Sequence, residues 1–193
     1  MKYTKIRETA FDEIQLNAGV LSAEFTPASG EIGDIIAATS GGISFEATPT
    51  YTDFGEDIDN CPKNMKEMKK LDSWEAKMSG TFASVSKSLA KTLVGAADLS
   101  GSKIAPRNDL ADADFTDLWW VGDYSEVNED GTSTGKAGFI AIHLLNSLST
   151  GGFSIQSSDK GKGQFEFEFT GHYSMEDQDN VPFEVYVQEG TAA

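Results

Sequence analysis

The chain has 193 residues, 39% of them apolar, with 31 acidic against 15 basic side chains and a formal charge of −16. That length supports one substantial core, and the acidity excludes a protein that wraps nucleic acid, because phosphate binding needs a basic footprint. A single cysteine, Cys61, rules out an intrachain disulfide and suits synthesis in a reducing compartment.

The first residues, Met1 to Arg7, are basic, but Glu8, Asp12 and Glu13 follow instead of an apolar stretch. The segment therefore reads as neither a signal peptide nor a membrane anchor. Ile14, Leu16 and Ala18 alternate, turn at Gly19 and continue from Val20 to Phe25 as strand. Pro27, Ser29 and Gly30 break the pattern, which resumes weakly over 32–38. Ile43, Phe45 and Ala47 oppose Ser44, Glu46 and Thr48, predicting a half-buried strand that ends near Pro49 or Tyr51. Thr52 to Lys70 has no clean period, acidic first and basic second, and so long a connection usually has a function. From Ser73 to Val85 the period of two returns, with Trp74, Ala76, Met78, Gly80, Phe82 and Ser84 on one face.

Ser86 is a ready N-cap, and Leu89, Ala90, Leu93, Val94 and Ala97 form a helical stripe ended by Asp98 and Gly101. One helix among strands makes the class mainly β. Lys103 to Asp109, interrupted by Pro106, reads as a loop. Leu118 to Tyr124 is an apolar strand in which Trp119 and Trp120 must face opposite sides, so at least one is expected to meet another layer or another subunit, the alternative being that the helix and a second sheet cover both faces. Asn128 to Lys136 reads as a hairpin tip, and Gly138 to Leu145 as the strand that pairs with the tryptophan strand. After the turn at 148–152 and Phe153 to Gln156 comes the clearest alternation in the chain. Phe165, Phe167, Phe169 and Tyr173 fall on one parity; Glu166, Glu168, Thr170 and His172 fall on the other. A polar turn at 175–180 leads into Val181, Phe183, Val185 and Val187, predicting a C-terminal hairpin with one apolar and one acidic face. The core is expected to draw on Trp74, Phe82, Leu89, Leu93, Trp119, Trp120, Phe165, Phe167, Phe169, Phe183 and Val185.

No constellation of reactive residues assembles from these elements. Asp53, Glu56, Asp57 and Asp59 invite a calcium site, but the glycine and terminal glutamate of a calcium-binding loop are misplaced. Asp109, Asp112, Asp114 and Asp117 read as a polar loop, and a glycosidase pair among so many acids would be chance. His143 and His172 lie on the polar parity of strands and read as structural, without zinc spacing or a nucleophile elbow. Glycine pairs at 151–152 and 161–163 lack phosphate-loop spacing and suit turns. Cys61, before Pro62, lacks a basic activator. No catalytic residue, metal or cofactor is expected. A carbohydrate-binding β-sandwich, using Trp74, Trp119 or Trp120 as an exposed stacking platform, is the alternative reading.

Five strings nevertheless carry a resemblance: Asp53-Phe-Gly-Glu-Asp-Ile-Asp-Asn-Cys-Pro62, Leu71-Asp-Ser-Trp-Glu-Ala-Lys-Met-Ser-Gly80, Asp117-Leu-Trp-Trp-Val-Gly-Asp-Tyr124, Leu148-Ser-Thr-Gly-Gly152, and Phe169-Thr-Gly-His-Tyr173 with Val181-Pro-Phe-Glu-Val185. In order, and spanning residues 14 to 187, they resemble the major tail proteins of long-tailed, non-contractile bacteriophages of Gram-positive hosts. The resemblance implies a single tail-tube domain over 1–193, a two-sheet β-sandwich or barrel flanked by one α-helix with a long early inter-strand loop. It implies hexameric rings stacked into a hollow tube that conducts genomic DNA, without sequence-specific binding, catalysis or membrane contact. The implied location is the virion tail, with assembly in the host cytoplasm. The implied partners are other copies of the chain and the tape-measure, tail terminator and distal tail or baseplate proteins. By position, 52–70 is the inter-ring loop, with Asp53, Glu56, Asp57, Asp59, Lys63, Lys66, Lys69 and Lys70 at the contact. Glu166 and Glu168 are expected to face the lumen, and residues 1–12 and 188–193 to be terminal arms.

Overall fold

A computed structural model of the chain describes residues 14–124 and 138–188. The proposed arm at 1–12, the hairpin tip at 128–136 and the tail beyond Gln188 lie outside the described residues. Gln188 itself closes the last strand.

The protein is mainly β, two antiparallel sheets packed as a sandwich with a single helix. The first sheet contains β1 (Gln15–Ser22), β8 (Thr116–Tyr124), β9 (Phe139–Ser149) and β11 (Phe183–Gln188), in the order β1-β8-β9-β11. The second contains β4 (Thr39–Asp53), β5 (Lys69–Phe82) and β10 (Phe165–Thr170), in the order β4-β5-β10. The end of β9 crosses over to join them, pairing Ser149 and Leu148 with Phe169 and Thr170. Two small hairpins complete the strands of the described residues, β2 (Phe25–Thr26) with β3 (Glu31–Ile32), and β6 (Ala97–Ser100) with β7 (Lys103–Pro106).

The main core lies between the sheets. Ala76, Met78, Phe82, Phe165, Phe167 and Phe169 meet Leu21, Leu118, Ile142 and Leu144, while Leu89 and Leu93 close one end. Phe167 stacks on Phe82 with ring centroids 4.2 Å apart, over the bare backbone of Gly80. Gly80 is needed there because an added Cβ would lie 2.9 Å from the Phe167 ring. A second, smaller core forms on the far face of the first sheet from Phe25, Trp119, Val121 and Ala141. The tryptophan strand is thus buried on both sides, but the outer cover is Phe25 of the β2–β3 hairpin, where the sequence suggests the helix. Trp120 packs inward and donates its indole N–H to the Ala18 carbonyl at 3.0 Å.

Helix α1 (Lys87–Val94) is shorter than its stripe suggests. Ser86 Oγ accepts the Leu89 N–H at 3.1 Å, as an N-cap should, but Gly95 at φ 81° ends the helix. Ala97 and Asp98 then belong to β6, with Gly101 in the β6–β7 turn, so the stripe overran into strand. Similarly, Lys103 to Pro106, expected as loop, is β7.

The C-terminal hairpin is corrected. β10 and β11 do not pair: β10 lies between β5 and the end of β9, whereas β11 joins the opposite sheet beside β9. The connection 171–182 crosses the end of the sandwich, fastened by Gly171 N–H to the Ala76 carbonyl at 3.0 Å and Leu145 N–H to the Pro182 carbonyl at 3.0 Å. Local alternation identifies two strands but not their neighbours. Tyr173, on the aromatic parity, lies past β10, where its hydroxyl accepts the Trp74 N–H at 2.8 Å.

Candidate functional site

The long connection is the tip of an extended hairpin. Strands β4 and β5 stay paired from Thr39 opposite Phe82 to Asp53 opposite Lys69, so residues 52, 53, 69 and 70 are strand and the true loop is 54–68. Asp53 fixes its base: Oδ1 accepts the Gly55 N–H at 3.0 Å and Oδ2 the Asn64 N–H at 2.9 Å. The Asn64 and Gly55 amides, in that order, hold the Asp53 carboxyl below its usual value. Glu56 reaches across to Lys63 at 2.9 Å, which raises the lysine above its ordinary value. Lys69 donates to Asn64 Oδ1 at 3.0 Å and lies over the Tyr51 ring. Asp57, Asp59, Lys66 and Lys70 are exposed. The acidic and basic halves thus pair partly with each other inside the tip. What the charge pattern did not reveal is its apolar content: Phe54 is 59% exposed and Ile58 48%.

Along the body of the same sheet, the outward face is polar. Glu166 lies opposite Thr81 and Glu168 opposite Ser79; Thr170 is opposite Lys77, itself opposite Glu46. Glu75 pairs with Lys77 at 2.7 Å, and this contact first, then Glu168 and Glu46, raises the lysine above its ordinary value. Glu168 accepts the Thr150 hydroxyl at 3.0 Å, whereas Glu166 is exposed. The arrangement is three carboxylates, Glu75, Glu168 and Glu46, around one ammonium, set among hydroxyls, with Glu166 further along the same face.

Of the residues expected in the core, Phe82, Leu89, Leu93, Trp119, Phe165, Phe167 and Phe169 are buried. Trp74 is half-buried, edge-on to Phe183. Val185 is a correction: it is 50% exposed, and Val187 is 56% exposed. They share the inward parity with Phe183, which packs on Phe45 and Trp74. The second sheet covers Phe183 but stops short of the two valines, which lie beside Ile142 and Ile140 on a bare stretch of the inner face. Open edges remain among the described residues: β11 pairs only with β9 and β4 only with β5, while the far edge of β1 is bridged at Ser22 to Ile35.

One polar cluster departs from the loop reading. Asp114 is buried, not a loop acid: Oδ2 accepts Arg107 Nη2 at 2.5 Å and the Ala111 N–H at 2.9 Å, while Arg107 Nε lies 3.1 Å from Asp98. The pair ties the β6–β7 hairpin to the short 3-10 turn at Asp112–Asp114. Nothing periodic in the sequence marks it. His143 stacks on Trp119 between Asp117, 3.3 Å from Nε2, and Glu184, 3.4 Å from Nδ1. His172 lies beyond β10, its ring edge-on to Phe115 and its Nδ1 3.2 Å from the Asn146 carbonyl. Cys61 Sγ lies 3.4 Å from Met65 Sδ within the tip. Among the described residues, no group of three or more His, Cys, Asp or Glu side chains is arranged to hold a metal ion, and no helix is long and apolar enough to cross a membrane.

No protein-family model matches the chain, and no curated protein matches it.

Proposed function

We propose that the chain is a structural subunit of a bacteriophage tail tube, forming rings that stack into a hollow conduit for DNA. The observation that carries the reading is the bare inner face at Val185 and Val187 on the open edge strand β11. An apolar face beside an unpaired strand edge is an aggregation hazard for a lone chain and a designed contact for a subunit whose neighbour covers it. In a ring, neighbouring subunits pair such edges into one closed barrel. The β4–β5 hairpin then serves the contact between rings. The face bearing Glu46, Glu166 and Glu168 lines the lumen, where negative charge lets DNA pass without the counterion release that binding requires. Copies of the same chain, tape-measure, terminator and distal tail proteins are the partners this role calls for. The sugar-platform alternative loses its platform, because Trp119 and Trp120 are packed and Trp74 is half-buried.

Negative-stain microscopy of the concentrated protein tests the reading. Six subunits of this size make rings or tubes on the order of 100 Å across. Removing residues 55–68 should leave folded subunits that no longer build long tubes. Uniform single-chain particles at every concentration would refute the role.

A further inference from the structure

An open cleft of about 380 Å³ lies beside the start of α1, where the end of β1, the chain before β4 and the start of β8 come together. Leu89, Leu118 and Phe169 form its floor, and Ile35, 59% exposed, stands at its mouth. Asp34 and Asp117 are its charged residues; no lysine or arginine lines it. Asp117 is partly engaged, its Oδ1 accepting the Asn146 N–H at 3.0 Å and its Oδ2 lying 3.3 Å from His143. The Asp34 carboxylate is exposed and accepts no hydrogen bond from a described residue. An apolar floor under a carboxylate rim suits an apolar side chain flanked by cations.

One stretch of this chain has that chemistry and starts within reach. Met1 to Arg7 carries Lys2, Lys5 and Arg7 with Tyr3 and Ile6 and no acid, in a protein of 31 acids and 15 bases. Acids resume at Glu8, Asp12 and Glu13. Distance selects among these residues. From Ile14 the chain runs through β1 to Ala23 in the cleft wall, nine residue steps, or about 30 Å at most when extended. The same number of steps back from Ile14 ends at Lys5. A segment that reverses near Ile14 and returns beside β1 therefore brings 5–7 to the cleft and leaves the acids of 8–13 outside it. That route is open over 16–20, where β1 has no strand partner but β8 among the described residues; the bridge to Ile35 comes later, at Ser22.

We infer that residues 5–7 cover the cleft of their own chain, with Ile6 on the Leu89 and Phe169 floor and Lys5 and Arg7 beside Asp34 and Asp117. In an extended segment Lys5 and Arg7 leave on the side opposite Ile6. Their stems are long enough to bend along the apolar mouth and set the cations at its rim. The contact clasps the chain before β4 to α1. It lies within one chain and holds whether or not the subunits form tubes.

Intrachain cross-linking tests it. In the full-length Cys61→Ser chain, Thr4→Cys is paired either with Ser88→Cys, exposed in the cleft wall, or with Thr26→Cys, three residues past Ala23 but outside the cleft. Dilute protein is treated with a short bismaleimide. The Thr4–Ser88 pair should link at least about tenfold faster than the Thr4–Thr26 pair, at a rate independent of protein concentration. Ile6→Asp should bring it down to the rate of the control pair. Asp34→Lys should slow it about threefold, and Lys5→Glu in the same chain should restore it. Equal rates for the two pairs would overturn the inference. So would links that vanish on dilution and appear as heterodimers when the two single-cysteine chains are mixed, because the cleft would then hold a neighbour's N-terminus.

Discussion

The imidazole of His143 lies flat on the indole of Trp119, their centroids 3.9 Å apart and their planes 7° from parallel. The two residues are direct cross-strand partners on β9 and β8, and the next partner in the row is Glu184 of the edge strand β11. One ring therefore joins three strands, by stacking on one side and by polar contact on the other. His143→Ala removes both and should destabilise the fold by roughly 1–2 kcal/mol. His143→Phe, which keeps the stack alone, should recover part of that. Urea denaturation followed by tryptophan fluorescence measures it, and equal midpoints for all three proteins would show that the stack contributes nothing.

Asp114 gives the fold an acid-sensitive point. The Ala111 N–H is the largest cause of its depressed carboxyl pKa; burial opposes it and the Arg107 guanidinium adds to it. The folded protein therefore holds this proton less tightly than the unfolded chain does. Stability from the group is fully present above the unfolded value, near 3.8, and is lost as pH falls below it toward the lower folded value. Melting temperatures of wild type and Asp114→Asn should thus be well separated above pH 3.8 and draw together below it. Curves that stay parallel through that window would remove the carboxylate from the account.

How much of this was legible beforehand depends on which side chains are compared. The parity of Phe165, Phe167 and Phe169 names their buried face correctly, because a period of two needs only local sequence. The same rule misplaces Val185, since parity says which way a side chain points and nothing of whether another layer lies there. Pairing is equally nonlocal: the polar turn at 175–180 looks like a hairpin turn, yet the chain uses it to change sheets. Asp114 looks like any other acid in its run, and only the arrival of Arg107 and the Ala111 amide gives it a buried role. The tip's acids and lysines were visible as a charge pattern. Its exposed Phe54 and Ile58 were not, because apolar residues in a long loop read ambiguously until the fold shows what they lack.

Gly80 is a tight point within the second sheet, directly opposite Phe167 on the neighbouring strand. A Cβ there would lie 2.9 Å from Phe167 and 3.1 Å from the Gly42 carbonyl. The Phe167 ring cannot withdraw, because it is stacked on Phe82 in a close-packed core. Gly80→Ala should therefore cost roughly 1–3 kcal/mol by overpacking. Ser79→Ala, one residue away on the outward face, is the control and should stay within about 0.5 kcal/mol of wild type. A Gly80→Ala protein as stable as the control would mean that the Phe167 ring yields more easily than the packing indicates.

The outward carboxylates of β10 test the conduit directly. Glu166 is exposed and Glu168 half-buried, both on the face that carries Lys77 as its only cation between Ser73 and Thr81. Glu166→Lys together with Glu168→Lys reverses the sign of that face without touching Phe165, Phe167 or Phe169 behind it. If the face lines the lumen, assembled tubes should change from indifferent to retentive toward DNA, with retention falling steeply between about 50 and 200 mM salt as counterions compete. Retention is read by co-sedimentation of short duplexes with tubes at each salt concentration. The hairpin tip offers a clean contrast: reversing Glu56 and Asp57 there breaks the Glu56–Lys63 pair and should impair stacking but leave the lumen repellent. Tubes of the β10 variant that stay as indifferent to DNA as wild type would place this face away from the conduit, whatever the shape of the assembly.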